Sequence, residues 1–166
     1  MTTMDDLKAA FAGESQANRR YLAFADQAER EGYANIARLF RAVAMAETVH
    51  AHSHFRTMGG VNSTAENLKA AIAGENYEVE TMYPDFMDDA EEEGERRAKI
   101  TFKRAWEVEK IHEELYKAAL EQIEESDIEA ADYYVCPVCG HTHVGSEPPE
   151  KCPICGAKRD RYMKVE

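Results

Sequence analysis

Two short stretches of the sequence carry residue types suited to metal chemistry, Glu47-Thr-Val-His50 and Glu109-Lys-Ile-His112. Each is a Glu-x-x-His step. On a helix, a spacing of three puts carboxylate and imidazole on one face, where a metal ion can use both. Upstream of each lies another acid, closing an alanine-rich octapeptide. Leu7-Lys-Ala-Ala-Phe-Ala-Gly-Glu14 precedes the first step and Leu68-Lys-Ala-Ala-Ile-Ala-Gly-Glu75 the second, and they differ only at Phe11 against Ile72. The offset is 61 residues from Glu14 to Glu75 and 62 from His50 to His112. The chain therefore reads as a duplicated helical hairpin, each half supplying one Glu and then one Glu-x-x-His. A single such step arises readily by chance in an acid-rich chain. Two of them in matched repeats specify a dimetal site, because a plain bundle with surface Glu and His leaves the repeat unexplained.

A second constellation follows Ser126. The stretch from Asp127 to Asp132 reads as a short linker, after which come Cys136-Pro-Val-Cys139-Gly140 and Cys152-Pro-Ile-Cys155-Gly156. Four thiolates at this spacing make a tetrahedral site for iron or zinc, and a zinc ribbon is the plainer reading of the cysteines alone. Gly140 and Gly156 tolerate the positive φ that turns backbone N–H groups toward sulfur. A module this small builds little apolar core, so the metal is expected to hold the fold as well. His141 and His143 read as loop residues, since four sulfurs already close the coordination shell.

The elements that must position these groups are helical. Thr3 is a candidate cap for a first helix reaching about Glu31, with Leu7, Phe11, Glu14, Tyr21, Phe24 and Ala28 near one stripe. Gly32 breaks it. A second helix is expected from about Tyr33 to Met58 with Ile36, Leu39, Phe40, Val43 and Glu47 inward, stopped by Gly59-Gly60. Ser63-Thr-Ala-Glu66 is a capping box opening a third helix to about Glu92. Pro84 removes a backbone donor there and is expected to kink the helix near Glu80. A fourth follows Gly94, from about Glu95 to Glu125. Four helices of roughly 25–30 residues, each about 40 Å long, have the format of a four-helix bundle with ligands projecting into its core. One Glu from each of two helices and Glu-x-x-His from the other two is the ligand set of ferritin-like dimetal proteins. Glu78 lies three residues after Glu75 and faces the same way, which by spacing alone leaves its ligation open. Tyr21 and Tyr83, two turns beyond Glu14 and Glu75, read either as core tyrosines or as hydrogen-bond partners of a metal-bound carboxylate.

The sequence is 166 residues long with a formal net charge of -12, which argues against a nucleic-acid or anionic-membrane partner. The charge is uneven: residues 1–132 hold 28 acids against 15 Lys and Arg, and residues 133–166 hold 4 against 5. All four cysteines sit in Cys-x-x-Cys pairs, so none points to a secreted disulfide framework. With no run of about 20 apolar residues and no apolar signal core, a cytoplasmic protein is expected.

Taken together, the motifs resemble the rubrerythrin family. The resemblance rests on Gly13-Glu-Ser-Gln-Ala-Asn-Arg-Arg-Tyr21, the two Glu-x-x-His steps, Gly74-Glu75 through Glu78 to Met82-Tyr83-Pro84, and the paired Cys-Pro-x-Cys-Gly knuckles. It implies a mainly α fold, with a ferritin-like diiron bundle over residues 1–126, a linker at 127–132 and a rubredoxin-like Fe(Cys)4 domain over 133–166. It further implies that Glu14, Glu47, His50, Glu75, Glu78, Glu109 and His112 ligate two irons, with Glu47 and Glu109 bridging. Glu78 and His50 exchange at one iron as the oxidation state changes, and Tyr21 and Tyr83 hydrogen-bond near the site. Cys136, Cys139, Cys152 and Cys155 hold a single iron, a one-electron relay. The implied activity is hydrogen peroxide reduction to water with electrons from an NAD(P)H-linked reductase or rubredoxin, in oxidative-stress protection. Manganese or zinc in the helical site, a ferroxidase or iron-storage role, and a non-catalytic zinc protein are the alternatives.

The connection around Gly59–Ser63 bears on assembly. Five extended residues reach at most ~18 Å, against ~35–40 Å for a connection crossing the bundle's length. Either the third helix folds back beside the second, or two chains exchange helix pairs in a swapped homodimer. The swap is the expected solution, because it keeps the second and third helices parallel around each dimetal site.

Overall fold

The computed structural model describes residues 2–123 and 126–166. The chain forms two units, Met1–Asn62 and Ser63–Glu166.

The first unit is a hairpin of α1 (Thr3–Arg30) and α2 (Ala34–Thr57). Thr2, not Thr3, caps α1: its side chain accepts from the Asp5 backbone N–H while Asp5 reaches back to the Thr2 N–H. Both threonines have an acid three residues on, Asp5 for Thr2 and Asp6 for Thr3, and the box that closes is the first. The turn between the helices uses Gly32 at φ 85°, a conformation costly for any residue with a Cβ. Alanines line the seam, with Ala25, Ala28 and Ala37 buried against Phe40 and Ala17, Ala44 and Ala51 also buried. Asn18 ties the helices, donating to the Ala44 carbonyl and to Thr48 Oγ1. Phe11 and Phe55 stack at 4.9 Å. The expected inward stripe is corrected here. Ile36, Leu39, Val43 and Phe24 are exposed, because α2 is apolar on more than one side and small residues take the side facing α1.

The second unit opens with α3 (Thr64–Tyr77), capped by Ser63 and Glu66 as the sequence implies. A π-helical turn, Glu78–Met82, joins it to α4 (Tyr83–Glu92), and α5 (Arg96–Gln122) returns alongside. The kink expected near Glu80 is this turn. Pro84 has no N–H to give, and the Tyr83 N–H bonds the Glu78 carbonyl five residues back. A π turn holds one residue more than an α turn would. That residue accounts for the unequal offsets: Glu14 and Glu75 stand 61 apart, while Tyr21 and Tyr83, beyond the turn, stand 62 apart like the later residues. The packing repeats at the same offset. Tyr21, Phe24 and Phe40 cluster in the first hairpin, and Tyr83, Phe86 and Phe102 cluster in the second. Trp106, replacing the small Ala44 of the first half, donates Nε1–H to the Val79 carbonyl inside the π turn at 2.8 Å. The expected end of the fourth helix near Glu125 lies outside the described residues.

Beyond α5 lies a three-stranded antiparallel sheet in the order β2-β1-β3, built from β1 (Tyr133–Val135), β2 (Thr142–Val144) and β3 (Met163–Val165). His143 is thus a strand residue paired with Tyr134, while His141 is the loop residue expected, though a buried one. No helix among the described residues is long and apolar enough to cross a membrane.

Candidate metal centres

The Glu-x-x-His spacing does on each hairpin what helical geometry requires. In the first unit, His50 Nδ1 lies 2.9 Å from Glu47 Oε2 and 3.9 Å from Glu14 Oε1. In the second, His112 Nδ1 lies 2.7 Å from Glu109 Oε2 and 3.9 Å from Glu75 Oε2. In each trio the donor atoms fall within 4.8 Å of one another, close enough for one cation to collect them. Oxygen and imidazole donors in this mixture suit iron, manganese or zinc. The structure thus brings six of the seven expected ligands into two matching trios, one per unit.

Glu78, the seventh, begins the π turn, half-buried. Burial and the charge of Glu109 raise its carboxyl above the ordinary range, so it stands within electrostatic reach of the second trio. Burial, a hydrogen bond with Glu109 and the Glu109 charge push Glu75 up to about 7. Glu109 moves the other way: burial acts upward, but bonds with His112 and Glu75 outweigh it and hold the carboxyl low. His112 is raised, chiefly by its bond to Glu109 and against burial. Without a metal, the second trio is therefore a proton-sharing cluster of acids around an imidazole. A cation takes the place of those protons. Tyr83 keeps its phenolic proton more tightly than usual, through burial and the charges of Glu109, Glu78 and Glu75. Tyr21 packs among Phe24 and Phe40 in the equivalent position.

The cysteines are free thiols. Cys136 and Cys155 sulfurs lie 3.6 Å apart and those of Cys139 and Cys152 3.5 Å apart. Metal–sulfur bonds of ~2.3 Å in a tetrahedron need S···S of about 3.8 Å, so the four thiols fit a single ion with minor adjustment. Gly140 and Gly156 take φ 83° and 76°, and the next residues, His141 and Ala157, turn their N–H groups to Cys139 and Cys155 sulfur. Burial nevertheless leaves Cys139 and Cys155 raised. Cys152 is pulled down to about 6: burial acts upward, but hydrogen bonds from the Tyr162 hydroxyl and the backbone of Cys155 and Ile154 prevail.

Two contacts escape a reading by motif. Tyr162 bonds both Cys152 and His141 Nδ1, the latter at 2.8 Å. Thr142 Oγ1 lies 2.9 Å from His112 Nε2, joining the sheet to the helical trio within the second unit. Neither residue belongs to a spaced pattern, and only the fold brings them to their partners.

Comparison with known proteins matches this arrangement. The family profile described as Rubrerythrin covers residues 5–120, and that described as Rubrerythrin, rubredoxin-like domain covers 134–163. Rubrerythrin-2 of Clostridium acetobutylicum is 39% identical, over 97% of this chain and 95% of its own length. Nigerythrin of Nitratidesulfovibrio vulgaris is 38% identical over 97% and 85%. Putative rubrerythrin of Methanocaldococcus jannaschii is 37% identical over 99% and 92%. Among solved structures, the fully reduced, all-ferrous state of nigerythrin is similar with a TM-score of 0.59 at 37% identity, covering 99% of this chain and 87% of that one. A ferritin-like helical part bearing two Glu, Glu-x-x-His trios, followed by a rubredoxin-like sheet with four cysteines, with relatives alike over nearly their whole length, makes this chain a member of the rubrerythrin family.

Proposed function

We propose that the protein is a non-haem diiron peroxidase that reduces hydrogen peroxide to two waters. The observation that carries this reading is the pairing of two oxygen-and-imidazole trios with a four-thiolate site in one chain. When bound, a pair of ferrous ions supplies one electron each to the O–O bond, and the ion among the thiolates restores them one at a time. Cleavage also needs two protons. Tyr83, whose phenol holds its proton firmly, is a group beside the second trio that carries one, and Glu78, whose carboxyl is raised, takes one up more readily than a free carboxylate. Glu78 and His50 would be the side chains that alternate in holding one iron, carboxylate suiting the harder oxidised ion and imidazole the reduced one. Electrons come from a reductase oxidising NAD(P)H, directly or through a rubredoxin, in a cytoplasmic response to oxidative stress.

Each site is completed between two chains. Three side chains per trio leave two irons short of donors, so one chain's Glu14, Glu47 and His50 join Glu75, Glu78, Glu109 and His112 of a second copy. Residues 58–63 between α2 and α3 extend to only ~20 Å, and exposed apolar residues such as Leu39 and Val49 on α2 offer a surface for that copy. Exchange of helix pairs in a homodimer satisfies both conditions.

The test is an anaerobic titration. Iron-loaded protein is reduced fully and then given one equivalent of hydrogen peroxide. The visible iron–thiolate band should return as peroxide disappears. Peroxide left intact by the loaded, reduced protein refutes the peroxidase reading. A colourless four-thiolate site in native protein favours zinc and removes the relay, and a shell-sized oligomer on sizing favours iron storage.

A further inference from the structure

The bond between His112 and Thr142 has a direction that the surrounding atoms determine. Thr142 Oγ1 lies 3.2 Å from the Gly140 carbonyl oxygen, to which it donates, and 2.9 Å from His112 Nε2. A hydroxyl has a single proton. With that proton on the carbonyl, Oγ1 accepts from the ring, and Nε2 carries the hydrogen. Without a metal, Glu109 Oε2 at 2.7 Å accepts a hydrogen from Nδ1 as well; a cation that replaces that hydrogen would bind Nδ1, facing Glu109 and Glu75, while Nε2 keeps its own.

We propose that Thr142 is a positioning residue for the helical metal site. It fixes the tautomer and ring plane of His112 so that Nδ1 meets the metal, and it closes a bonded path from Cys139 through the Gly140 carbonyl and its own hydroxyl to His112. One electron leaves a ferrous ion at the thiolates, which becomes ferric, and reduces a ferric ion ligated by His112; no proton need cross. Electrons thus enter a dimetal site through the chain that supplies His112. This electron path rests on the peroxidase reading, while the tautomer role does not. The first trio supplies the contrast. The His50 side chain is 54% exposed against 27% for His112, and among the described residues nothing bonds His50 Nε2. The tethered imidazole is the fixed ligand and the untethered one is free to exchange with Glu78.

Three proteins decide it: wild type, Thr142→Val, which keeps the shape and the strand preference, and Thr142→Ser, which keeps the hydroxyl. The first readout is imidazole nitrogen NMR of the full chain with diamagnetic zinc in both metal sites. Wild type and Thr142→Ser should show His112 bound through Nδ1 with a slowly exchanging hydrogen on Nε2, and Thr142→Val a hydrogen there that exchanges faster with water. The same result for all three, or hydrogen on Nδ1 in wild type, overturns the positioning role. The second readout follows the iron–thiolate band of pre-reduced protein after a peroxide pulse. Thr142→Val should weaken iron binding at the helical site and slow return of the band, each by about 10–100-fold, and Thr142→Ser should recover both. An unchanged rate in Thr142→Val overturns the electron path. A wild type that never recovers the band overturns the peroxidase reading and the path with it, and leaves the tautomer to be decided by NMR.

Discussion

Removing the metal from the second trio should invert how the protein's stability responds to pH, and Glu75 supplies most of the effect. Its carboxyl rises from 4.5 to about 7 in the folded state. Between those values the unfolded chain has released the proton and the folded chain retains it. The folded state binds more protons there, so stability falls as pH rises through the window. His112, raised above 6.5 by Glu109, acts in the same sense: its contribution is complete below 6.5 and is lost as pH climbs through the raised value. Glu109, held low, acts only on acidification below 4.5 and contributes no slope at higher pH. A shift of 2.5 units corresponds to a ceiling of ~3.4 kcal/mol. The side chain is 19% exposed, and screening by water leaves about 1–2 kcal/mol. Urea unfolding of stripped protein, followed by fluorescence of Trp106, the sole tryptophan, should show that loss between pH 5 and pH 8. Glu75→Gln should flatten the slope by about 1 kcal/mol. Loaded protein should respond oppositely, because bound metal requires ionised carboxylates and neutral imidazole, and its affinity grows as protons become scarce. A stripped protein whose stability is flat or rises from pH 5 to 8, or a Glu75→Gln variant with the parental slope, would refute the proton-sharing cluster.

Tyr162→Phe removes a hydrogen bond to Cys152 sulfur that favours the more negatively charged reduced centre; a loss of ~1–1.5 kcal/mol should lower the iron–thiolate potential by about 40–60 mV in a spectroelectrochemical titration. Ser63→Ala deletes the reciprocal cap of α3 and should lower stability by about 1 kcal/mol in urea, a loss that Ser63→Thr largely avoids. Trp106→Phe leaves the Val79 carbonyl in the π turn without its partner and should cost about 1–2 kcal/mol by thermal or urea unfolding. Stripping the metal from the four thiolates should abolish amide protection in β1, β2 and β3 while the α1–α2 hairpin keeps its own, measured by hydrogen exchange.

The Glu-x-x-His pairs and the cysteine cluster were legible because helix and knuckle impose short, strict spacings. Glu47 with His50, Glu109 with His112, and the two cysteine pairs are each set by a single turn of chain, so counting residues suffices. The capping box at Ser63 and the stop at Gly32 were legible for the same reason. Packing was less so. Ile36, Leu39 and Val43 belong to an apolar stripe, yet Ala37 and Ala44 take the seam with α1, since periodicity marks which residues avoid water and not which neighbour covers them. Pro84 marked an irregularity near Glu80 but not its type, which depends on where the missing donor can be replaced. Thr142 and Tyr162 were invisible, because their roles come from a sheet folding against a helix and from a C-terminal strand reaching a knuckle.

The additional residue at Glu78–Met82 breaks the equivalence of the duplicated halves. Had both hairpins remained identical, the two trios would offer a metal the same side chains. An insertion between Glu75 and Tyr83 leaves the octapeptide in place, advances everything after it by one position, and brings in Glu78, a carboxylate whose counterpart in the first half, by the 61-residue offset, is Ala17. A metal at the second trio would have a further carboxylate within electrostatic reach that the first half of the repeat does not encode. The duplicated hairpin thus carries two chemically unequal halves, and the inequality enters through one turn of helix.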